Sequence, residues 1–289
     1  MMGKYFAGMY FKHQANGKSL ALIPGRAMDG AFIQIITEEQ AYHVPYVLTA
    51  YQKRKDGLSV GGNLFTHSGV KIDIETKELT LKGEVPYGKL TPIRGDIMGP
   101  FRFVPMECRH GIVSMNHSLQ GSLCLNGEIY NFDGGRGYIE ADSGQSFPRA
   151  YTWVQSNDFT QNCSIMAAVA EIPFLGFTFW GVICVVHLDG REYRLATYNG
   201  AKILRCEPGA LELRCGKYQL SITTSAGSGH ELYAPHMGEM RYFIRENLSC
   251  PVRFRFAVGG QILLEEESTC ASYECELDTT GNVNNAQKR

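Results

Sequence analysis

The sequence predicts a mainly β protein of antiparallel strands closed into two barrels. Three observations carry this. Apolar residues recur with a period of two rather than 3.6 in SLALIPG, AFIQIIT, YTWVQS, GVICVVHL and YQLSITT. Hairpin dipeptides punctuate these runs, at Asn16-Gly17, Asp56-Gly57, Asn126-Gly127 and Asp189-Gly190. The 32 glycines among 289 residues suit many tight turns and bulges. Many short strands need their edges closed, which barrels do, and about 140 residues suffices for one eight-stranded barrel.

Taken in order, SLALIPG (19–25) and AFIQIIT (31–37) read as strands after the Asn16-Gly17 turn. TEEQAY (37–42) reads as one helical turn with Thr37 as its cap. Lys53-Arg54-Lys55 beside Asp56-Gly57 reads as a solvated loop. VSMNHSLQGSLCL (113–125) reads as a strand whose apolar face runs from Val113 to Leu125. Gly144 to Pro148 lies near the midpoint, and proline cannot sit in the middle of a sheet. The expected division is therefore residues 1–147 and 148–278, with a disordered polar tail, 279–289. FLGFTFWGVICVV (174–186) is apolar throughout, but a bilayer takes about 20 residues, so a buried strand is expected and no integral membrane segment. YRLATYNG (193–200) and RFRFAVGGQILLEEEST (253–269) read as strands, the latter ending in solvated glutamates. MGEMRYFIREN (237–247) is the best longer helix candidate. ANGKSLALIPG and LDGREYRLATYNG share a strand–turn–strand pattern that suits an internal duplication.

A net charge of -1 supplies no field to attract nucleic acid or anionic lipid. The nine cysteines are odd in number and none forms a C-x-x-C pair. MMGKYFAGMYFKH lacks the apolar core of a signal peptide. Together these favour reduced thiols in a cytoplasm.

Spacing also selects candidate site residues. Tyr138, Glu140 and Asp142 share a strand face, where the two carboxylates either share a proton or brace the 144–148 crossing. Trp153, Gln155 and Asn157 alternate on one face, as the wall of a ring-binding pocket or as the plug of a barrel end. His117 is the polar exception on the 113–125 stripe, a proton relay or a satisfied core histidine. Glu107 and His110 precede a glycine and can meet at a strand end. No histidine or cysteine spacing makes a metal site, and there is no nucleophile elbow or P-loop.

YFAGMYFKHQANGKSLALIPG, AFIQIIT, GPFRFVPMECRHGIVSMNHSLQGSLCLNGEIYNFDGGRGYIEADSGQSFPRAYTWVQSNDF and GVICVVHLDGREYRLATYNGA resemble the tocopherol cyclase family, from about Tyr5 to Leu277. The block from Gly99 to Phe159 is the most specific part. Departures fall at Ala7 and Met9, where the family often has Glu and Trp, and at Ala141 and Ser143, in a turn that often carries another Trp. The family is related to carotenoid hydratases and to lipocalin-like cyclases. The resemblance implies two lipocalin-like barrels of the calycin and AttH type, packed together, and a hydrophobic small molecule such as a prenylated quinol as partner. It implies ring closure or hydration by acid catalysis without a redox cofactor; of the residues selected by spacing, Glu140, Asp142 and His117 are the catalytic candidates for that chemistry and Tyr138, Trp153, Gln155, Asn157, Glu107 and His110 the ligand contacts. The alternative is a carrier of a hydrophobic small molecule that performs no chemistry.

Overall fold

The computed structural model describes residues 5–174, 176–227 and 229–277. The tail expected to be disordered, 279–289, lies outside them. Strands account for 69% of the described residues and helix for 4%. The first thirteen strands are β1 (Phe6–Ala15), β2 (Lys18–Ala27), β3 (Gly30–Thr37), β4 (Ala41–Tyr46), β5 (Tyr51–Arg54), β6 (Gly57–Val60), β7 (Asn63–Thr66), β8 (Gly69–Glu75), β9 (Thr80–Pro86), β10 (Cys108–Ser118), β11 (Ser122–Leu125), β12 (Glu128–Asn131) and β13 (Arg136–Gly144). The others are β14 (Tyr151–Ser156), β15 (Cys163–Phe174), β16 (Phe177–Leu188), β17 (Arg191–Ala196), β18 (Lys202–Glu207), β19 (Ala210–Cys215), β20 (Tyr218–Thr224), β21 (His230–His236), β22 (Glu239–Val258) and β23 (Gln261–Cys275).

The chain divides into two compact units. The first holds Met1–Ile93, Cys108–Phe147 and Leu232–Phe243; the second holds Arg94–Glu107, Pro148–Glu231 and Ile244–Arg289. In the first, a sheet ordered β10-β13-β1-β2-β3-β4 accompanies a sheet ordered β12-β11-β9-β8-β7-β6-β5. Alternate side chains of the two sheets meet in one core, with Phe11, Leu22 and Ile33 from one and Phe65, Ile72 and Leu123 from the other. Each such side chain contributes about 1.5–3 kcal/mol on burial. The sheet ordered β17-β16-β15-β14-β23-β22-β20-β19-β18, with β21 beside β22, builds the second unit's core around Val169, Val186, Leu213, Val252 and Phe254. β17 comes within 8 Å of β19 between Cα atoms, so this sheet curls back on itself. The fold is mainly β and antiparallel, of the lipocalin-like kind expected.

Residues 232–243 belong to the first unit and lie along its six-stranded sheet. The Gln34 side chain donates to the Tyr233 carbonyl at 3.0 Å and accepts from the Tyr233 N–H at 2.8 Å. Met28 N–H donates to the Gly238 carbonyl at 2.7 Å, and Phe147 N–H to the Pro235 carbonyl at 3.1 Å.

Three of the four hairpin dipeptides fold as expected. Asn16, Asn126 and Asp189 have φ of 53°, 50° and 48°, and the glycines after them 75°, 90° and 75°, the paired left-handed residues of a type I′ turn. At the fourth, Lys55 and Asp56 form the turn and Gly57 opens β6. Two helix expectations fail. Residues 239–247 are extended in β22, where Ile244, Glu246, Leu248 and Cys250 alternate as buried residues. Residues 37–42 make a turn in which the Thr37 hydroxyl accepts the N–H of Glu39 and Gln40 at 3.3 and 3.2 Å, and Ala41 already opens β4. The expected 113–125 strand is divided between β10 and β11, and YRLATYNG ends in a 3-10 turn, Thr197–Asn199. All nine cysteines are thiols outside any disulfide.

Candidate functional site

Tyr138, Glu140 and Asp142 alternate along β13 with Ile139, which belongs to the core, so the three project from the opposite face. Strand β10 runs antiparallel beside it and sets His110 opposite Asp142 and Ile112 opposite Glu140. His110 is thereby held between two carboxylates. Its Nδ1 lies 3.0 Å from Asp142 Oδ1 and its Nε2 3.4 Å from Glu140 Oε2. The Tyr138 hydroxyl donates to the same Glu140 oxygen at 2.6 Å, and burial, with the Glu140 charge second, holds that phenol well above its ordinary pKa. The Cys108 thiol, next on this face of β10, donates to Asp142 Oδ1 at 3.8 Å. Glu140 is buried, whereas His110, Asp142 and Cys108 are partly exposed. An imidazole between two carboxylates, one of them tied to a phenol, can pass a proton along the row.

His117 stands elsewhere. Two bulges in β10, between Ile112 and Ser114 and between Ser114 and His117, shift its alternation twice. His117 consequently lies opposite Gly137, on the core side of β13, and away from the face that carries Glu140. The imidazole occupies the place of a missing side chain: a Cβ on Gly137 would fall 2.3 Å from His117 Nε2. His117 Nδ1 donates to Ser114 Oγ at 3.0 Å, since that hydroxyl gives its own proton to the Asn116 carbonyl. The Tyr87 ring lies against that of His117, 4.5 Å between ring centroids and tilted by 50°. Tyr87 also donates to His13 Nε2 at 2.6 Å, while His13 Nδ1 donates to the Leu20 carbonyl at 3.2 Å. His117 Nε2 has no hydrogen-bond partner among the described residues. Burial lowers both histidines, His13 to about 4 and His117, with the nearby His13 second, to about 3. No spacing in the sequence marks His13 or Tyr87, because only strand pairing brings residues 13, 87 and 117 together.

Trp153, Gln155 and Asn157 are all buried in the second unit. Val154 faces that unit's core, so Trp153 and Gln155 occupy the other face of β14. Gln155 is 0% exposed, and neither atom of its carboxamide has a hydrogen-bond partner among the described residues. Glu107 is exposed and belongs to the second unit, whereas His110, in the first, lies beside Asp142 and Glu140.

Among the described residues, His110, Glu140 and Asp142 each offer a donor atom within 4.8 Å of the others, a grouping that could hold a metal ion. Among the described residues no helix is long and apolar enough to cross a membrane.

Comparison with known proteins agrees with this architecture. A crystal structure of CghA with Sch210972 superposes with a TM-score of 0.62 at 9% identity, covering 96% of this chain and 90% of that one. Another structure of CghA gives 0.60 at 10% identity, over 96% and 90%. An AttH-like protein from Nitrosomonas europaea gives 0.50 at 11% identity, over 95% and 92%. At these identities the likeness is one of fold. No curated protein sequence matches the chain. The sequence model of the tocopherol cyclase-like family matches residues 67–277, which include both carboxylates, His110 and the strand carrying Trp153 and Gln155. This chain belongs to the tocopherol cyclase-like family.

Proposed function

We propose that the protein binds a lipophilic, ring-bearing molecule of the prenylated quinol or isoprenoid class and closes or hydrates it by acid catalysis, with Glu140 as the proton donor. The observation that carries this reading is the row Asp142–His110–Glu140–Tyr138 on one sheet face. Asp142 holds His110 Nδ1–H, which leaves Nε2 facing Glu140 and placed to exchange a proton with it. The Glu140 carboxyl would protonate a trisubstituted alkene of the prenyl tail, forming a tertiary cation. The phenol oxygen of the same molecule would attack that cation, and the phenol proton would return to Glu140 directly or through His110. Bonds and charge balance without an oxidant, and the net change is an isomerisation. With water as nucleophile the same steps give hydration.

A carrier without chemistry is the second reading, favoured by Gln155. A fully buried carboxamide without a partner costs about 1–3 kcal/mol, which a bound polar ring substituent would recover. The two readings separate in one experiment. Purified protein is incubated with a prenylated hydroquinone, and bound and ring-closed species are quantified by mass spectrometry for the wild type, Glu140→Gln and Asp142→Asn. Acid catalysis predicts loss of product in Glu140→Gln with ligand retention and melting temperature little changed. If both variants melt several degrees lower and bind normally, the carboxylates are braces. Ligand retained unchanged by every protein establishes the carrier.

A further inference from the structure

The hairpin of β15 and β16 ends in an aromatic face that belongs to neither unit's buried core. Phe174 stands opposite Phe177 and Ile172 opposite Phe179, so Phe174, Phe177 and Phe179 share one side of the hairpin. Their ring centroids lie 5.6, 6.3 and 6.5 Å apart. Phe101, from the 3-10 turn Gly99–Phe103, stacks on Phe179 with centroids 6.0 Å apart. Phe103 closes that turn, and the Arg102 guanidinium lies 4.4 Å from the centre of its ring. Phe177 is 55% exposed and Phe103 76%.

Area, depth and charge select what this face meets. At about 200 Å² per phenylalanine, the exposed parts of Phe177 and Phe103 come to roughly 250 Å². A stable protein interface takes about 800 Å² from each partner, so even with the partly exposed rings beside them these two fall well short of one. A lipid surface sets no such minimum, because attachment grows with each apolar side chain that enters it. From Phe177 to Phe179 the strand advances about 7 Å, and interfacial elements sink about 5–10 Å. The other side of the hairpin end shows Pro173 and Thr178, both exposed, and the sequence from Ile172 to Trp180 carries no charge. Entry of this end therefore desolvates no ion. Arg102 over Phe103 suits the boundary itself, with the ring on the acyl side and the guanidinium among the phosphates.

We infer that the end of the β15–β16 hairpin and the adjoining 3-10 turn form a docking surface for the headgroup–acyl boundary of a lipid bilayer. The attachment is apolar rather than coulombic: a net charge of -1 gives no long-range pull, and zwitterionic lipid suffices. Glu140 and His110 take no part in it, so it stands apart from the acid-catalysis reading.

Flotation of the full-length protein with phosphatidylcholine vesicles tests this without any turnover. The wild type should float with the lipid. Phe177→Ser and Phe103→Ser should each lower the partition coefficient by about three- to tenfold, with the circular dichroism spectrum unchanged because both rings are exposed. Tyr242→Ser removes a ring of the first unit that is 50% exposed and should leave partitioning unaltered. Raising salt to about 0.5 M should change partitioning by less than about twofold. A wild type that stays with the aqueous phase at millimolar lipid overturns the proposal. So does flotation that both phenylalanine variants leave intact, that Tyr242→Ser lowers equally, or that salt abolishes. A lipid-free dimer that Phe177→Ser dissociates on size-exclusion chromatography assigns the face to a second copy and overturns it as well.

Discussion

The buried histidine pair makes stability fall as acid is added, by an amount the structure sets. In the folded protein His13 titrates near about 4 and His117 near about 3, against about 6.5 in the unfolded chain. Both pKa values are lowered by burial, so the stabilisation is complete above about pH 6.5 and is lost as pH falls toward the folded values. At about pH 5 each unfolded histidine holds a proton that folding must expel, at about 2 kcal/mol each, or about 4 kcal/mol for the pair. The local chemistry explains the lowering. His13 Nε2 already accepts from Tyr87, and a proton on His117 Nε2 would have no acceptor among the described residues. The assay is urea unfolding at about pH 8 and about pH 5 for the wild type, His13→Gln and His117→Gln. Each variant should lose about 2 kcal/mol less than the wild type over that interval, whatever its absolute stability. Glu38 and Glu276, raised by burial, bend the curve the other way equally in all three proteins. Parallel pH profiles for wild type and variants would refute the assignment.

The remaining predictions concern single side chains. Gln155→Leu removes a buried carboxamide that nothing satisfies and should raise stability by about 1–3 kcal/mol in the ligand-free protein, while weakening retention of a lipophilic ligand; destabilisation on chemical unfolding would count against this. Gly137→Ala drives a methyl into the His117 ring and should cost about 1–3 kcal/mol, most of it recovered when His117→Ala is added, as a double-mutant cycle would show. Tyr138→Phe deprives Glu140 of its phenolic donor and should destabilise the fold by about 1–3 kcal/mol in thermal unfolding. Thiol titration of freshly denatured protein without reductant should find nine groups.

Strand alternation is legible in the sequence because each sheet of the first unit buries one face against a core. The same parity suffices to set Tyr138, Glu140 and Asp142 on one face of their strand. His110 is legible only as a neighbour of Glu107, because its contacts depend on a register joining residues 32 positions apart. The failure of the helix expected over 237–247 has a local cause. Glu246 interrupts the apolar alternation of β22 although it is itself buried, and Glu, Met and Arg are good helix formers. Antiparallel pairing within the sheet, of β22 with β21 and of Glu246 and Asn247 with β23, overrides that preference. The gathering of His13, Tyr87 and His117 rests on two bulges, which leave no consistent mark on residue type.

The assignment of residues 232–243 to the first unit bears on how the chain matures during synthesis. The segment that hydrogen-bonds Met28, Gln34 and Phe147 follows residues 148–231, an interval of 84 positions. At about 5–20 residues per second, a ribosome takes roughly 4–17 s to cover it. Throughout that delay the nascent amino-terminal half has every strand of its two sheets, but the Gln34 amide and the Phe147 N–H still await their partners. This is the period in which a chaperone has most to shield, and an isolated 1–147 fragment would remain permanently in that state. Slowing translation across 148–231 should therefore lower the soluble yield more than the same pause placed after Phe243.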